Sequence, residues 1–268
     1  MNLLITGAAS GIGAAATNLF LKNGHTVYAL DRSPIPARDR LFPFLVDVTD
    51  EGALAEVAFR LSEAGVVLDA MLLVAGIHRM ASLVEGECET LRRVIDVNLV
   101  GAMLTVRTFH PLLSRCGRVV IVTSEVASLD PLPFNGLYSL SKIALDAYSQ
   151  ALRQELGLLG QTVVTVRPGA IGTPLCNASL IDTERLADTT RLYARQAHRF
   201  LSITKRFMGT PIAPERLAPL LYRATTVKHP RLTYHKHRSF GLLLLGVLPL
   251  RLQCAIIRLM LGCDSSQE

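Results

Sequence analysis

The feature that most constrains the fold of this 268-residue chain is a glycine-rich string, TGAASGIG, at residues 6–13. A short apolar run at residues 3–6 leads into it, and a stretch whose apolar residues have helical spacing follows at 14–22. Glycines between a strand and a helix permit a tight turn, a close approach of the backbone to a ligand and close helix–sheet packing. The first turn of such a helix presents unpaired N–H groups and a partial positive charge, which favour a pyrophosphate. The string therefore predicts a dinucleotide site, and a turn without a ligand is the alternative.

Short apolar runs alternate with amphipathic stretches through the rest of the chain. Six runs predict strands, at residues 3–6, 25–30, 42–46, 71–74, 118–123 and 163–167. The other stretches predict helices, at residues 14–22, 53–64, 91–112, 140–159, 184–200 and 214–225. Strands separated by helices imply βαβ units, so we expect an α/β fold with a doubly wound, Rossmann-like parallel sheet. No linker rich in Ser, Gly or Pro divides the chain before residue 170, which favours a single domain over residues 1–230.

Two acidic residues at the ends of predicted strands bear on the choice of cofactor. Asp31 lies 18 residues past Gly13, where its carboxylate can accept both hydroxyls of an adenosine ribose and would repel a 2′-phosphate. The neighbouring Arg32 would attract such a phosphate, and a solvated turn residue is the other interpretation of Asp31. These residues predict NAD as the cofactor, with NADP as the less favoured alternative. Asp47 ends the third strand, where it would either contact adenine or cap the next helix.

Tyr138 and Lys142 lie four residues apart at the start of a predicted helix, so their side chains share one helix face. A phenol with a pKa of about 10 is a weak base at pH 7, but a neighbouring ammonium stabilises the phenolate and lowers that pKa. Such a tyrosine can exchange the hydroxyl proton of an alcohol while a nicotinamide exchanges the hydride. A Y-x-x-x-K pair alone is common on helix surfaces. In a chain that also has the glycine string and Asp31 earlier in its sequence, the pair predicts an oxidoreductase.

The chain resembles the short-chain dehydrogenase/reductase family over residues 2–230, through motifs that occur in the family's order. They are TGAASGIG at 6–13, DV at 47–48, AG at 75–76, DVNLVG at 96–101, VTS at 122–124, YSLSK at 138–142 and RPGAIGT at 167–173. The segment LPFNGLYSLSK at 132–142 is similar to the corresponding stretch of the family's steroid and retinol dehydrogenases. In such enzymes the region equivalent to 176–210 forms a lid over the substrate. The resemblance implies an NAD-dependent oxidoreductase that transfers a hydride between nicotinamide and a secondary alcohol or ketone of a hydrophobic, steroid- or retinoid-like substrate.

The resemblance also assigns roles to individual residues. Tyr138 is the acid/base, and Lys142 binds the nicotinamide ribose and lowers the pKa of the tyrosine. Asn98 holds a helix kink and a proton-relay water, and Thr173 contacts the nicotinamide carboxamide. Homodimers or homotetramers are usual in the family, through the helices that here carry Asn98 and Tyr138. The candidate cofactor contacts are Gly7, Ser10, Gly11, Ile12, Gly13, Asp31, Asp47, Val48, Ala75, Gly76, Asn98, Tyr138, Lys142, Pro168, Gly169, Ile171 and Thr173.

Two departures from the family pattern lie close to these residues. The family usually has N-N-A-G where this chain has LVAG at 73–76, so the polar side chains that tie the sheet there are absent. The substrate-binding serine usually lies 13 residues before the tyrosine, where this chain has Glu125. A loop that is one residue longer would restore Ser124, our first candidate, and Ser128 is the second. The alternative function is a non-catalytic NAD-binding sensor or scaffold at a membrane surface. The candidate catalytic residues are Ser124, Tyr138, Lys142 and Asn98.

Positive charge is concentrated in the C-terminal part of the chain. The formal net charge is +6, but residues 216–263 contain eight Lys or Arg and no Asp or Glu, which leaves the other 220 residues at −2. No nucleic-acid-binding signature accompanies this stretch and aromatic residues for base stacking are few, so nucleic acid is not expected as a partner. A basic cluster at 231–238 precedes an apolar run at 240–250. We therefore treat residues 231–268 as a basic, apolar extension of the domain.

The extension is long enough to span a bilayer over residues 240–262, but Pro249, Arg251 and Arg258 interrupt it. Each Arg costs about 2.5–3.5 kcal/mol near the bilayer centre, so a clean transmembrane helix is not expected. Arg251 and Arg258 are seven residues apart and share a helix face, which is typical of a helix that lies in a membrane interface. Two interpretations stay open, namely peripheral membrane contact through residues 231–262 and packing of this segment on its own domain. Either one implies an apolar substrate.

The cysteines and the N-terminus bear on location. Cys88, Cys116, Cys176, Cys254 and Cys263 are scattered and never form a C-x-x-C pair, which argues against a disulfide framework and a thiolate metal site. No metal site is predicted. The first apolar run is short and leads directly into the glycine string, unlike a secretion signal. We expect a cytoplasmic protein, with peripheral membrane contact left open.

Overall fold

The structure, a computed structural model, describes residues 1–207 and 211–262. Within these ranges there are seven strands, β1 (Asn2–Thr6), β2 (Thr26–Asp31), β3 (Leu41–Leu45), β4 (Leu68–Leu73), β5 (Leu113–Val122), β6 (Thr162–Pro168) and β7 (Thr233–Lys236). They form one parallel sheet in the order β3-β2-β1-β4-β5-β6-β7. The predicted doubly wound, Rossmann-like α/β fold is confirmed. Because the strand order reverses between β1 and β4, a crevice opens beyond the carboxyl ends of these two strands.

Helices cover both faces of the sheet. They are α1 (Gly11–Lys22), α2 (Glu51–Glu63), α3 (Cys88–Ile95), α4 (Gly101–Phe109), α5 (Gly136–Leu158), α6 (Pro174–Thr189), α7 (Ala194–Phe207), α8 (Ala218–Thr226), α9 (Phe240–Gly246) and α10 (Leu250–Leu261). Leu3 and Ile5 of β1 pack in one core layer with residues of α1 and α8, whereas Leu4 packs in the other with residues of α2, α4 and α5. Side chains of successive strand residues point to opposite faces, so the middle of β1, residues 3–5, is apolar on both faces because both are buried.

Two predicted helices are interrupted in the structure. The stretch 91–112 was predicted as one helix, but a π-helical segment, Asp96–Val100, separates α3 from α4. The stretch 184–200 was also predicted as one helix, but α6 ends at Thr189 and α7 begins at Ala194. The carboxylate of Glu85 accepts hydrogen bonds from the Thr190 hydroxyl and from the N–H groups of Arg191 and Leu192. This distant carboxylate holds the turn between the two helices.

The seventh strand was not predicted. Residues 233–236 were assigned to the basic extension, but they pair with β6 at the edge of the sheet. Only Tyr234 of this strand is buried, which explains why its sequence shows no strand pattern. The sheet therefore extends to residue 236, beyond the domain boundary predicted at 230.

The C-terminal helices pack on their own domain. Leu242 and Leu245 of α9 face Val126 and Leu129 in the loop after β5. Leu261 of α10 is buried in a cluster with residues of α7. No helix within the described ranges combines the length and apolarity needed to cross a membrane. The predicted lid runs to residue 210, and its last residues, 208–210, lie outside the described residues. The predicted extension runs to residue 268, and its residues 263–268, including Cys263, also lie outside them.

Candidate active site

A cavity of about 490 Å³ opens at the carboxyl ends of β1, β2 and β4. Its wall combines the glycine loop, the ends of these strands, the segment after β4 and the start of α6. Eleven of the candidate cofactor contacts line it, namely Gly7, Ser10, Gly11, Ile12, Gly13, Asp31, Asp47, Val48, Ala75, Gly76 and Thr173. The glycine string and the later motifs therefore meet at one site.

The glycine loop is built so that no side chain fits at two positions. Gly7 has φ +69°, and a Cβ atom there would lie 2.8 Å from the backbone of Ala75. A Cβ atom on Gly13 would lie 2.0 Å from the carbonyl oxygen of Gly7. The side chain of Ser10, at the N-cap of α1, makes no capping hydrogen bond. The N–H groups of the first turn therefore face the cavity and can receive an anion.

Asp31 lies at the end of β2 on the cavity wall. One carboxylate oxygen accepts a hydrogen bond from the N–H of Ala9 at 2.9 Å, and the other accepts from the N–H of Ser33 at 2.8 Å. The carboxylate therefore orders the glycine loop as well as facing the cavity. Arg32 lines the same part of the wall.

Asp47 also lines the cavity and pairs with a residue that the sequence did not single out. Its carboxylate accepts hydrogen bonds from the N–H and hydroxyl of Thr49 and forms a salt bridge with Arg93 of α3. Burial opposes ionisation of Asp47, but the hydrogen bonds from Thr49 and the charge of Arg93 outweigh it and lower its pKa. The alternative that Asp47 caps the next helix is wrong, because Asp50 accepts the capping hydrogen bond from Ala53.

The segment after β4 is ordered although it lacks the family's two asparagines. The Thr6 hydroxyl oxygen accepts hydrogen bonds from the N–H groups of Val74 and Ala75 at 3.1 and 3.2 Å. Asn98 lies in the π-helical segment and is fully buried. Its amide accepts from the N–H of Ile77 at 2.7 Å and donates to the Ile77 carbonyl at 2.9 Å. Thr6 and Asn98 thus fix the backbone that forms this wall of the cavity.

Three candidate cofactor contacts at the end of β6 and just after it lie away from the cavity wall. Pro168 ends the strand and is buried. Gly169 packs so closely on the C-terminal segment that a Cβ atom would lie 1.8 Å from the carbonyl oxygen of His237. Ile171 is buried in the core layer that contains α1. Thr173, by contrast, caps α6 by accepting from the N–H of Cys176 and contacts Gly11 of the glycine loop.

Tyr138 lies in the first turn of α5, and the Ser124 side chain is close enough to its hydroxyl to favour the ionised form and lower its pKa. Ser124 follows β5 and is the N-cap of the short 3₁₀ helix Glu125–Ser128. The structure therefore places the first serine candidate beside Tyr138. The second candidate, Ser128, donates instead to the carbonyl of Glu125 and accepts from Arg238.

Lys142 lies one turn after Tyr138 and is buried. Its Nζ atom donates to the carbonyl of Val122 at 3.2 Å and lies 5.9 Å from the centre of the Tyr138 ring. Burial lowers the pKa of Lys142 to about 8. Asn98 reaches the same helix, because its amide donates to the Ser141 hydroxyl, which in turn donates to the carbonyl of Tyr138. Tyr138, Lys142 and Asn98 thus form one connected group behind the cavity wall.

The pKa of Tyr138 is raised in this structure, whereas the sequence analysis expects Lys142 to lower it. Burial raises it to about 12, the Ser124 side chain opposes this, and the acidic groups of Cys176 and Glu125 add to it. The phenol is therefore the form that this site holds at neutral pH, ready to donate a proton.

His78 is a residue of this site that the sequence analysis missed. It lines the cavity, and its ring centre lies 4.0 Å from that of Tyr138. Its Nε2 atom and the Asn135 side-chain oxygen lie 2.8 Å apart. Burial lowers the pKa of His78 to about 4, so its ring is neutral at pH 7. A single histidine after a glycine in an irregular segment carries no spacing signal that would have identified it.

A family model described as short chain dehydrogenase matches residues 1–183, which include the glycine loop, Ser124, Tyr138 and Lys142. The chain belongs to the short-chain dehydrogenase family. It is an NAD(P)-dependent oxidoreductase that acts on CH–OH groups.

Similar proteins with curated names come from animals and bacteria. Retinol dehydrogenase 5 of Mus musculus is 30% identical over 280 residues, which cover 95% of this chain and 87% of the relative. A 1-hydroxy-2-glutathionyl-2-methyl-3-butene dehydrogenase of Rhodococcus sp. is 32% identical over 178 residues, which cover 65% of this chain and 79% of the relative.

Solved structures share the fold. A short-chain dehydrogenase from Burkholderia cenocepacia in complex with NADP superposes with a TM-score of 0.73 at 22% identity, covering 98% of each chain. A 3-ketoacyl-(acyl-carrier-protein) reductase from Brucella melitensis complexed with NADH gives a TM-score of 0.69 at 23% identity, covering 89% of this chain and 98% of that one. Structural neighbours of this dehydrogenase thus hold either dinucleotide.

Proposed function

We propose that this short-chain dehydrogenase uses NAD to interconvert a secondary alcohol and a ketone on a hydrophobic, steroid- or retinoid-like molecule. The observation that carries the proposal is the placement of the Ser124 hydroxyl beside the Tyr138 phenol, with the Nζ atom of the buried Lys142 5.9 Å from the centre of the same ring. These groups adjoin a cavity whose glycine loop fits a pyrophosphate. They are the donors that proton exchange at a carbonyl or carbinol oxygen requires.

The chain's own residues account for orientation and proton transfer. A nicotinamide in the cavity supplies the hydride for reduction and accepts it in oxidation. In reduction the Ser124 hydroxyl orients the substrate oxygen, and the Tyr138 phenol donates its proton to that oxygen. The ammonium of Lys142 lies 5.9 Å from the centre of the ring that then holds the phenolate. In oxidation the same proton returns to Tyr138. Asn98 holds this group in place through Ser141 and through both backbone groups of Ile77.

Asp31 supports NAD over NADP. Its carboxylate faces the cavity at the end of β2, where it favours ribose hydroxyls and repels a 2′-phosphate. Arg32 and Ser33 line the wall beside it and are the groups that would favour NADP. We expect the negative charge of Asp31 to determine the preference for NAD, because two backbone hydrogen bonds fix the position of its carboxylate.

The apolar surroundings of the site support a hydrophobic substrate. Met80 and Phe134, on the segments that carry His78 and Tyr138, pack with Ala197 and Phe200 of α7 and Leu261 of α10. The lid and the tail are therefore joined to the site by apolar contacts. The resemblance to retinol dehydrogenase 5 over nearly the whole chain supports the same substrate class.

The test is absorbance at the reduced-nicotinamide band with NAD or NADP and a panel of steroid, retinoid and long-chain alcohols and ketones. Replacing Tyr138 by Phe should lower the turnover rate by a factor of about 100 or more and leave dinucleotide binding unchanged. Tyr148→Phe, on the same helix, is the matched control and should keep its activity. Tight NAD binding without turnover on any panel member would favour the sensor alternative. Turnover that survives in Tyr138→Phe would overturn the assignment of the acid/base.

A further inference from the structure

The two C-terminal helices leave apolar side chains in solvent. Phe240, Leu244 and Val247 are spaced i, i+4, i+7 along and just beyond α9, so they share a helix face, and they are 79%, 57% and 77% exposed. The opposite face of α9 is occupied, because Leu242 and Leu245 lie against the loop after β5.

Helix α10 repeats this arrangement. Its inner face carries Gln253, which donates hydrogen bonds to Asp130 and to the carbonyl of Leu248, and Ile257 and Leu261, which pack toward α7. Leu252 and Leu259 are seven residues apart on an outer face and are exposed, Leu259 to 82%. We call the exposed apolar residues of both helices the outer tail surface. They are Phe240, Leu244, Val247, Leu250, Leu252, Leu259 and Met260.

The charged side chains of α10 itself, which lie beside the outer tail surface, are all positive. Arg251 and Arg258 are exposed, share a helix face and lie one position before Leu252 and Leu259 respectively. No acidic residue occurs between residues 216 and 263 of the sequence. Exposed apolar side chains flanked by cations are typical of a helix that lies in the headgroup region of an anionic bilayer.

From these observations we infer that the outer tail surface docks this enzyme on anionic lipid bilayers, with α9 and α10 lying in the interface. Helix α10 has twelve residues and a length of about 18 Å, which is too short for a hydrocarbon core of about 30 Å. The inner faces of both helices stay on the protein, so binding needs no unfolding of the tail. The inference is independent of the substrate proposed above.

A second copy of the chain is the competing occupant of this surface. In a two-fold interface the same patch meets itself, so Arg251 and Arg258 of both copies would approach each other. The segment offers no carboxylate to balance them. Anionic lipid headgroups supply that balance, which is why we favour the bilayer.

The test is cosedimentation of the full-length protein with vesicles, at about 0.1 M salt. One set contains phosphatidylcholine alone and the other adds phosphatidylglycerol. We expect binding to the anionic vesicles that weakens as salt is raised. The variant Phe240→Ser with Leu259→Ser should bind at least about tenfold more weakly, because two exposed apolar side chains no longer enter the interface. Arg251→Gln with Arg258→Gln should lose about thirtyfold on anionic vesicles only.

A matched control separates the tail from general surface hydrophobicity. Phe59→Ser with Leu158→Ser removes the same residue types at positions that are 61% and 88% exposed on α2 and α5, and it should bind vesicles like the parent protein. Thermal melting should be alike for all variants, since every changed side chain is exposed. Absence of vesicle binding, or an equal loss in the control, would overturn the inference. The inference would also be overturned if the protein did not bind vesicles but formed a dimer that the Phe240→Ser, Leu259→Ser variant converted to a monomer.

Discussion

The His78 ring lies 4.0 Å from the Tyr138 ring, centre to centre, with an angle of 30° between their planes. His78 belongs to the segment after β4, which lines the dinucleotide cavity, whereas Tyr138 belongs to α5. The hydrogen bond between His78 and Asn135, at the N-cap position of α5, fixes the histidine relative to that helix. The pair therefore couples the position of the proton donor to the wall of the cofactor site.

This contact predicts that His78 positions Tyr138. His78→Ala removes both the ring contact and the hydrogen bond to Asn135, so we expect kcat to fall by about tenfold or more with a smaller change in the KM for NAD. His78→Phe keeps an aromatic ring, so its kcat should lie between those of the parent protein and the alanine variant. Steady-state kinetics with both variants test this. Equal kcat in all three proteins would show that the stacking has no part in turnover.

Acid stability should also depend on His78. Because its pKa is about 4 in the folded protein and about 6.5 in an unfolded chain, the unfolded state takes up the proton first as pH falls. The free energy of unfolding should therefore decrease between pH 6.5 and 4, by up to about 3 kcal/mol from this group. Denaturant titrations across this range should show a smaller decrease in His78→Gln. The exposed His198→Gln is the control and should show the same decrease as the parent protein. A decrease in His78→Gln as large as that of the parent would contradict the prediction.

Lys142 gives the second pH-dependent prediction. Its pKa of about 8 in the folded enzyme means that the ammonium is lost as pH rises through 8, so carbonyl reduction should decline there. Lys142→Met should reduce turnover by about 100-fold or more. The melting temperature of Lys142→Met should be unchanged or higher, because the substitution removes a buried charge that opposes folding. The loss of the hydrogen bond that Lys142 donates to the Val122 carbonyl works against this gain. Initial rates and thermal melts test both parts, with Lys22→Met as the exposed control. A large loss of stability would point to a structural role instead.

The buried carboxylate of Glu125 should influence the pH dependence of the reaction. Its negative charge raises the pKa of Tyr138, and it accepts a hydrogen bond from the N–H of Ser239 at 2.7 Å. Glu125→Gln keeps an acceptor for Ser239 but removes the charge, so the phenol should ionise more easily. We expect the pH profile of alcohol oxidation to move to lower pH by about one unit at most. The profile of kcat/KM against pH tests this, with Glu89→Gln as the control. An unchanged profile, or a shift to higher pH, would contradict it.

Local patterns predicted most of the fold and most of the cavity, and distant contacts account for the rest. The glycine loop, Asp31 and the Tyr138–Lys142 pair each depend on spacing within a few residues, so a sequence displays them. The turn between α6 and α7 depends on Glu85, which is 105 residues before Thr190. Such a carboxylate looks like any surface glutamate in a sequence.

The remaining differences have similar causes. The π-helical segment adds residues to a helical turn without disturbing the apolar spacing on either side, so 91–112 looked continuous. Arg93 and His78 act through partners that are 46 and 57 residues away, Asp47 and Asn135. Strand β7 is four residues long and has one buried side chain, so its pairing with β6 supplies the order that its own sequence does not.

The last prediction concerns the preference for NAD. Asp31→Asn removes the negative charge and keeps a side-chain oxygen for one of the two N–H groups, of Ala9 and Ser33, that the two carboxylate oxygens bind. Without the charge, Arg32 should attract a 2′-phosphate, and the ratio of kcat/KM for NADP to that for NAD should rise by about tenfold or more. Asp39→Asn, whose side chain is 95% exposed outside the cavity, is the matched control and should leave the ratio unchanged. A ratio that stays the same in Asp31→Asn would mean that this carboxylate only orders the glycine loop and that the cofactor preference is set elsewhere on the wall.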